Sequence, residues 1–306
     1  MIKGTKTVFA LILTFVFLLS AAACGEVQVV PINNETALSE AVTALTEPAS
    51  TTAQETQDSD LNGSLTLIGS TSMADVTTAL AEAFMAVNTN VTVSVGGNGS
   101  GEGPTAVNDG TAQIGLLSRD LKEQENAADF DRYIIGFDGI AVIVNAASGV
   151  NSLTSEQTTK IFKGEITNWK DVGGKDAKIQ CIGREAASGT RGAFEELMNI
   201  KDTALYAEEQ NSTGNVKQAV SSNPDAIGYV SISAIDDTVI ALKIDGSEPL
   251  EEFVKSGDYK LQRPFLMISK AGTTDVLSAA FLDFVFSDAG MKIVKEDGIV
   301  PNPGKN

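Results

Sequence analysis

The chain has no histidine and only two cysteines, Cys24 and Cys181, in 306 residues. The first absence removes Ser-His-Asp and Cys-His catalysis, histidine-ligated zinc, and the usual side chain for proton transfer near neutral pH. The second removes a disulfide framework and a cysteine-rich metal site. Basic residues are scarce as well: 22 Lys and Arg stand against 40 Asp and Glu, a formal net charge of −18. The lysines are scattered and form no stripe, so nucleic acid is not expected as a partner. No serine is followed by lysine three residues later and no G-x-S-x-G occurs, which leaves a serine nucleophile without a base. The chain is therefore not read as an enzyme. Carboxylate-only metal ligation stays open, but no D-x-D-x-D-G calcium loop is present, and neither metal nor cofactor is expected.

What is there begins with an address. "MIKGTKTVFALILTFVFLLSAAAC" carries Lys3 and Lys6, an apolar run over Val8–Leu19, and small residues ending at Cys24. The run is short of the roughly 20 residues a membrane span needs and suits a secretory signal. The segment resembles a bacterial lipoprotein signal, with residues 1–23 removed and lipid placed on Cys24. Residues 24–62 follow, including "TEPASTTAQETQDSDLNG", too polar to bury a core and read as a flexible stalk. The expectation is an exported protein, lipid-anchored to the outer face of the cell membrane.

From Ser64 onward the pattern is that of a folded α/β protein with a largely parallel sheet. "LTLIGS" reads as a strand, and "MADVTTALAEAFMAVN" as a helix with Val76, Leu80, Phe84 and Val87 on one face. "VTVSVGG", "AQIGLLS", "YIIGFDGIAVIVN", "AKIQCIG", "IGYVSISAI" and "RPFLMIS" read as further strands. Thr154 and Gln157 have capping-box spacing, and residues 275–294 read as a closing helix pair. Cys181 and Trp169 are expected to be packing residues.

Four turns share one chemistry: Gly69–Ser72, Gly97–Gly101, Ser118–Asp120, and Ser188–Arg191. Small hydroxyl and glycine residues recur in them where a strand ends, and two carry arginine. One such turn is an ordinary helix cap. Four together suit a small oxyanion, because helix N-termini offer unpartnered N–H groups and the positive end of a macrodipole. None matches a Walker or G-x-G-x-x-G pattern.

From about Leu65 to the end, the chain resembles the phosphate-binding proteins of bacterial phosphate ABC importers. "GSTSM", "GNGSGEG", "IGLLSRDL", "DGIAVIVN", "IFKGEITNWKDVGG", "REAASGTRGAFEEL" and "YKLQRPFLMISK" carry the likeness in order. The resemblance implies a two-lobed periplasmic-binding-protein (type II) fold with hinge strands and a ligand cleft between the lobes. Residues 64–141 would form the first lobe, 142–260 the second, and 261–306 a return to the first. The implied function is capture of inorganic phosphate by a monomer and its delivery to the permease and ATPase subunits of the importer. The implied site comprises Thr71, Ser72, Ser100, Gly101, Ser118, Arg119, Asp138, Arg184, Ser188, Gly189 and Thr190. Better-known members carry an aspartate after the serine matching Ser118, to accept the ligand's proton. Here Arg119 stands there, so Asp120 or Asp138 takes that role, or Arg119 alters selectivity. Ala186 stands where some relatives carry an acid, with Glu185 as its substitute. The alternatives are another tetrahedral oxyanion (sulfate, molybdate or tungstate) or a surface signalling or adhesion module.

Overall fold

The computed structural model describes residues 61–304. The signal segment, the lipidation residue Cys24 and the stalk as far as residue 60 lie outside the described residues. The fold opens with β1 (Gly63–Gly69), α1 (Ala74–Val87), β2 (Val91–Gly96), α2 (Glu102–Asn108) and β3 (Ile114–Leu117). The long β4 (Phe130–Val144) leads to β5 (Ser152–Leu153), α3 (Ser155–Phe162), β6 (Gln180–Arg184) and α4 (Gly189–Leu197). Next come β7 (Glu208–Gln210), α5 (Thr213–Ser222), β8 (Ala226–Ser231), β9 (Ile240–Ala241), β10 (Lys243–Ile244) and α6 (Glu251–Ser256). The chain closes with β11 (Gln262–Lys270), α7 (Val276–Val285), α8 (Asp288–Glu296) and β12 (Val300–Pro301).

The main sheet runs β2-β1-β3-β11-β4-β8-β6-β7. Each wing is parallel: β1 pairs with β2 and β3, and β6 pairs with β7 and β8. The centre is antiparallel, with β11 against β3 and β4, and β4 against β8. The expected parallel sheet thus holds in the wings and fails at the middle. Parallel neighbours need a crossover long enough to hold a helix. β4 is reached from β3 through 3-10 turns alone, and β11 returns from the far wing in the opposite direction.

The two largest of four apolar clusters among the described residues flank that centre. Leu65, Leu67, Leu80, Phe84, Ile135, Phe265, Met267 and Phe281 belong to the first. Ile140, Val142, Phe162, Trp169, Phe194, Tyr229 and Leu261 belong to the second. β4 leaves one core and enters the other between Ile135 and Ile140, and the chain makes the reverse passage between Leu261 and Phe265. β12 pairs with β4 at Phe137 and Gly136, beside the same crossing. This is a two-lobed fold in which two long strands carry the chain between lobes.

Local chemistry sets the elements. Val76, Leu80 and Phe84 recur at helical spacing and are all buried, but Val87 at the last turn is 65% exposed, contrary to expectation. The capping box forms: Thr154 Oγ1 accepts the Gln157 N–H and Gln157 returns to the Thr154 N–H. Trp169 is fully buried and donates Nε1–H to the Asp225 carbonyl. Cys181 is buried, and burial pushes its thiol up to about 12, as expected of a packing residue.

Candidate functional site

In the first lobe, β1 ends at Gly69 and β3 at Leu117, and the residues after them turn toward each other. Ser70, Ser72, Ser100 and Ser118 are all buried. Their hydroxyls form one chain: Ser70 Oγ donates to Ser118 Oγ at 2.9 Å, Ser70 and Ser72 lie 3.1 Å apart, and Ser100 and Ser118 3.2 Å apart. The Ser118 N–H also donates to Ser100 Oγ. Gly97 has φ +117, and a Cβ there would stand 2.6 Å from the Gly69 carbonyl oxygen. Glycine is required for the ends of β1 and β2 to approach this closely.

In the second lobe, Arg184 ends β6 and Ser188 caps α4, its hydroxyl accepting the Arg191 N–H at 3.2 Å. The helix therefore starts at Gly189, and Thr190 is buried in its first turn. Phe194 and Met198 enter the core, whereas Leu197 is 42% exposed. Arg184 is 1% exposed. Its Nε and Nη2 donate to Glu185 at 3.0 and 2.9 Å, and Nη1 donates to Thr213 Oγ1 at 3.2 Å. Glu185 thus supplies the acid expected beside this arginine.

The two lobes meet directly. Ser72 and Thr190 hydroxyls are 3.0 Å apart, Thr71 and Thr213 3.3 Å. The Gly101 N–H donates to the Ala187 carbonyl at 3.0 Å, and Arg184 Nη2 to the Asn98 carbonyl at 3.2 Å. Gly189 lies against the serine chain: a Cβ there would overlap Ser100 Oγ and stand 2.6 Å from Ser118 Oγ.

Between the lobes sit two charged residues on the crossing strands, Asp138 on β4 and Arg263 on β11. They are register partners. Arg263 Nε and Nη2 donate to Asp138 Oδ2 at 3.1 and 2.9 Å, and the Ser231 hydroxyl donates to Oδ1 at 2.6 Å. Arg263 also reaches Ser72 Oγ at 3.2 Å and the Ser118 carbonyl at 3.3 Å. Burial pushes the Asp138 carboxyl above its ordinary range, opposed by Arg263 and Ser231. Burial likewise lowers Arg263, opposed by Asp138. Each partner limits the other's drift toward neutrality.

Of the residues expected at the site, the structure brings together Thr71, Ser72, Ser100, Gly101, Ser118, Asp138, Arg184, Ser188, Gly189 and Thr190. Arg119 is held by a neighbour of its own lobe: its Nη1 and Nη2 grip Glu125 at 2.8 and 2.6 Å, and its buried Nε has no partner among the described residues. Asp120 is 68% exposed and paired with Arg132, away from the hydroxyl chain. Of the two carboxylates considered as proton acceptors, only Asp138 lies among the buried donors. It is a strand residue and caps nothing. Sequence reasoning placed Ser70 in an anion turn without naming it as a site residue, and missed Thr213, Ser231 and, above all, Arg263. The available signal was an arginine inside an apolar strand, "QRPFLMIS", which demands a buried counter-charge.

With that geometry in hand, the comparisons are direct. Residues 46–289 match the PBP superfamily domain. A phosphate-binding protein PstS of Bacillus subtilis is 34% identical over 98% of this chain and 95% of its own length. Its counterpart in Pseudomonas aeruginosa is 32% identical over 81% of this chain and 85% of its own. A candidate phosphate ABC transporter substrate-binding protein from Clostridium perfringens, solved with bound phosphate, superposes with TM-score 0.76. It has 38% identity and covers 78% of this chain and 100% of that one. An ABC-type phosphate transport receptor from Vibrio cholerae superposes at TM-score 0.66 with 37% identity, covering the same 78% and 100%. Two lobes joined by crossing strands, oxyanion-type donors converging from both, and relatives alike over nearly the whole chain lead to one conclusion: the chain belongs to the PstS family of the periplasmic-binding-protein superfamily.

Proposed function

We propose that the chain is the extracytoplasmic solute-binding component of an ABC importer, taking inorganic phosphate between its lobes and delivering it to the permease. The carrying observation is the convergence of Arg184, Arg263, four buried serine hydroxyls and the N-terminus of α4 where the lobes meet, with Asp138 held by Arg263 and Ser231. Arginines supply charge-assisted donors, hydroxyls supply rotatable ones, and Ser188–Thr190 supply N–H groups at the positive end of a helix. Together they replace the hydration shell of a small tetrahedral anion.

Asp138 supplies selectivity. A carboxylate fixed by Arg263 and Ser231 accepts the proton of a protonated phosphate oxygen, and repels sulfate, which has none to give. Binding involves no covalent step. Residues 64–141 and 261–306 form the lobe that carries the serine chain, and 142–260 the lobe that carries Arg184. Lipid on Cys24 and the stalk hold a monomer at the outer face of the membrane. Its partners are the permease, with its ATPase subunits, and the membrane itself.

Calorimetric titration with inorganic phosphate tests the reading. The wild-type chain should bind one phosphate saturably, and Arg184→Ala should weaken binding at least a hundredfold, the loss of a charged donor of about 3 kcal/mol. Unchanged binding by Arg184→Ala would mean that the anion sits elsewhere.

A further inference from the structure

A closed hydrogen-bonded ring passes through the backbone of Arg184. It begins at the Arg184 N–H, which donates to Tyr229 Oη at 3.2 Å. Tyr229 in turn donates to Tyr206 Oη at 3.2 Å, and Tyr206 donates to Glu195 Oε1 at 3.0 Å. Arg191 Nε donates to the same carboxylate oxygen at 2.8 Å, and Arg191 Nη1 donates to the Arg184 carbonyl at 2.7 Å. The ring starts and ends on the two peptide groups of Arg184.

The packing agrees with this. The Tyr206 ring lies on the bare Cα of Gly183, where a Cβ would stand 2.6 Å from Tyr206 Cγ. The Arg191 guanidinium covers the Tyr206 ring at 4.9 Å from its centre. Phe194 stacks on Tyr229 at 4.2 Å. Glu195 is 8% exposed although charged, and its Oε1 takes both donors, so its burial is compensated. Burial pushes both tyrosine hydroxyls up, which keeps them neutral donors.

We propose that Glu195 and Tyr206 are positioning residues for phosphate binding: they touch no ligand and act by fixing the backbone of Arg184. The inference rests on Arg184 being a phosphate ligand, as proposed above. A guanidinium held by six donor contacts can swing only as far as its own Cα allows. Fixing the peptides on either side removes that freedom before the anion arrives, and preorganised donors bind more tightly than mobile ones. Arg191 contributes one member of the ring from the first turn of α4, so the helix N-terminus and Arg184 move as a unit.

The test uses the full chain and inorganic phosphate, with Tyr206→Phe, Glu195→Gln and Glu195→Ala. Tyr206→Phe keeps the ring packing and deletes only the hydroxyl. It should raise the phosphate Kd and dissociation rate at least tenfold, because the hydroxyl both accepts from Tyr229 and donates to Glu195 and its loss opens the ring at two bonds. Its unliganded denaturation midpoint should move far less than that of Glu195→Ala. Glu195→Ala should bind at least as weakly, and Glu195→Gln, which retains one acceptor, should recover part of the loss. If both Glu195 variants and Tyr206→Phe lose stability but keep wild-type Kd, the ring is structural and the inference falls. If wild-type chain binds no phosphate at all, the functional reading fails instead, and the two failures are distinct.

Discussion

Asp138 and Arg263 form an ion pair with side chains 0% and 2% exposed, and its energetics give a sharp prediction. Taking both charges out of water offsets most of their attraction, so an intact buried pair adds little net stability. Removing one partner is different, because the survivor remains buried and uncompensated, at about 3–5 kcal/mol. Asp138→Asn leaves Arg263 with only Ser72 Oγ, the Ser118 carbonyl and a neutral amide. Arg263→Gln leaves Asp138 with Ser231 and the Ile232 N–H. Each single variant should therefore lose about 3–5 kcal/mol in urea unfolding of the unliganded chain. The double variant Asp138→Asn/Arg263→Gln buries two neutral amides that can bond to each other, and should lose less than either single. Arg263→Gln and the double variant, which both lack the arginine, should also forfeit the extra stability that phosphate confers on wild type, about 2.7 kcal/mol at a hundredfold excess over Kd. Simple additivity, with the double losing the sum of the singles, would refute the paired-burial argument.

Two further outcomes follow from other parts of the structure. Gly189 has no positive φ, so Gly189→Ala costs nothing in the backbone. Its methyl would overlap the Ser100 hydroxyl, holding the lobes apart, and phosphate affinity should fall at least tenfold while the unliganded melting temperature stays put. Asp297 lies on the C-terminal side of α8 with a buried Oδ2 that has no hydrogen-bond partner among the described residues, and burial beside Asp75 and Asp138 pushes its carboxyl up to about 7. The folded form thus holds a proton that the unfolded chain releases near 3.8, so this group's contribution to stability falls as pH rises from about 4 to 7. Asp297→Asn should flatten that dependence and stabilise the protein at pH 8 by roughly 2 kcal/mol, after discounting for partial exposure.

Much of this was readable in the residues, and the failures have physical causes. The serine turns after β1 and β3 and the Ser188 cap are local features, written in consecutive residues, and they sit at the site. The Asp138–Arg263 pair is not local. Its members lie 125 residues apart, and each taken alone is a single charge in an apolar run. Only the antiparallel register of β4 and β11 puts them face to face, and that register came from the sheet centre that the alternation of strands and helices misjudged. Arg119 is the converse case. It follows a site serine in sequence, yet Glu125, six residues on, captures its guanidinium. Val87 and Leu197 fit their helical faces by spacing, but each stands at the end of its helix, where the core has stopped.

The central claim is that Asp138 makes this a site for a protonated tetrahedral anion. A competition titration tests it: phosphate is added to the chain in a large excess of sulfate at pH 7. The account predicts a phosphate affinity unchanged by sulfate, and a loss of that discrimination in Asp138→Asn. Sulfate displacing phosphate from the wild-type chain at comparable concentration would contradict it.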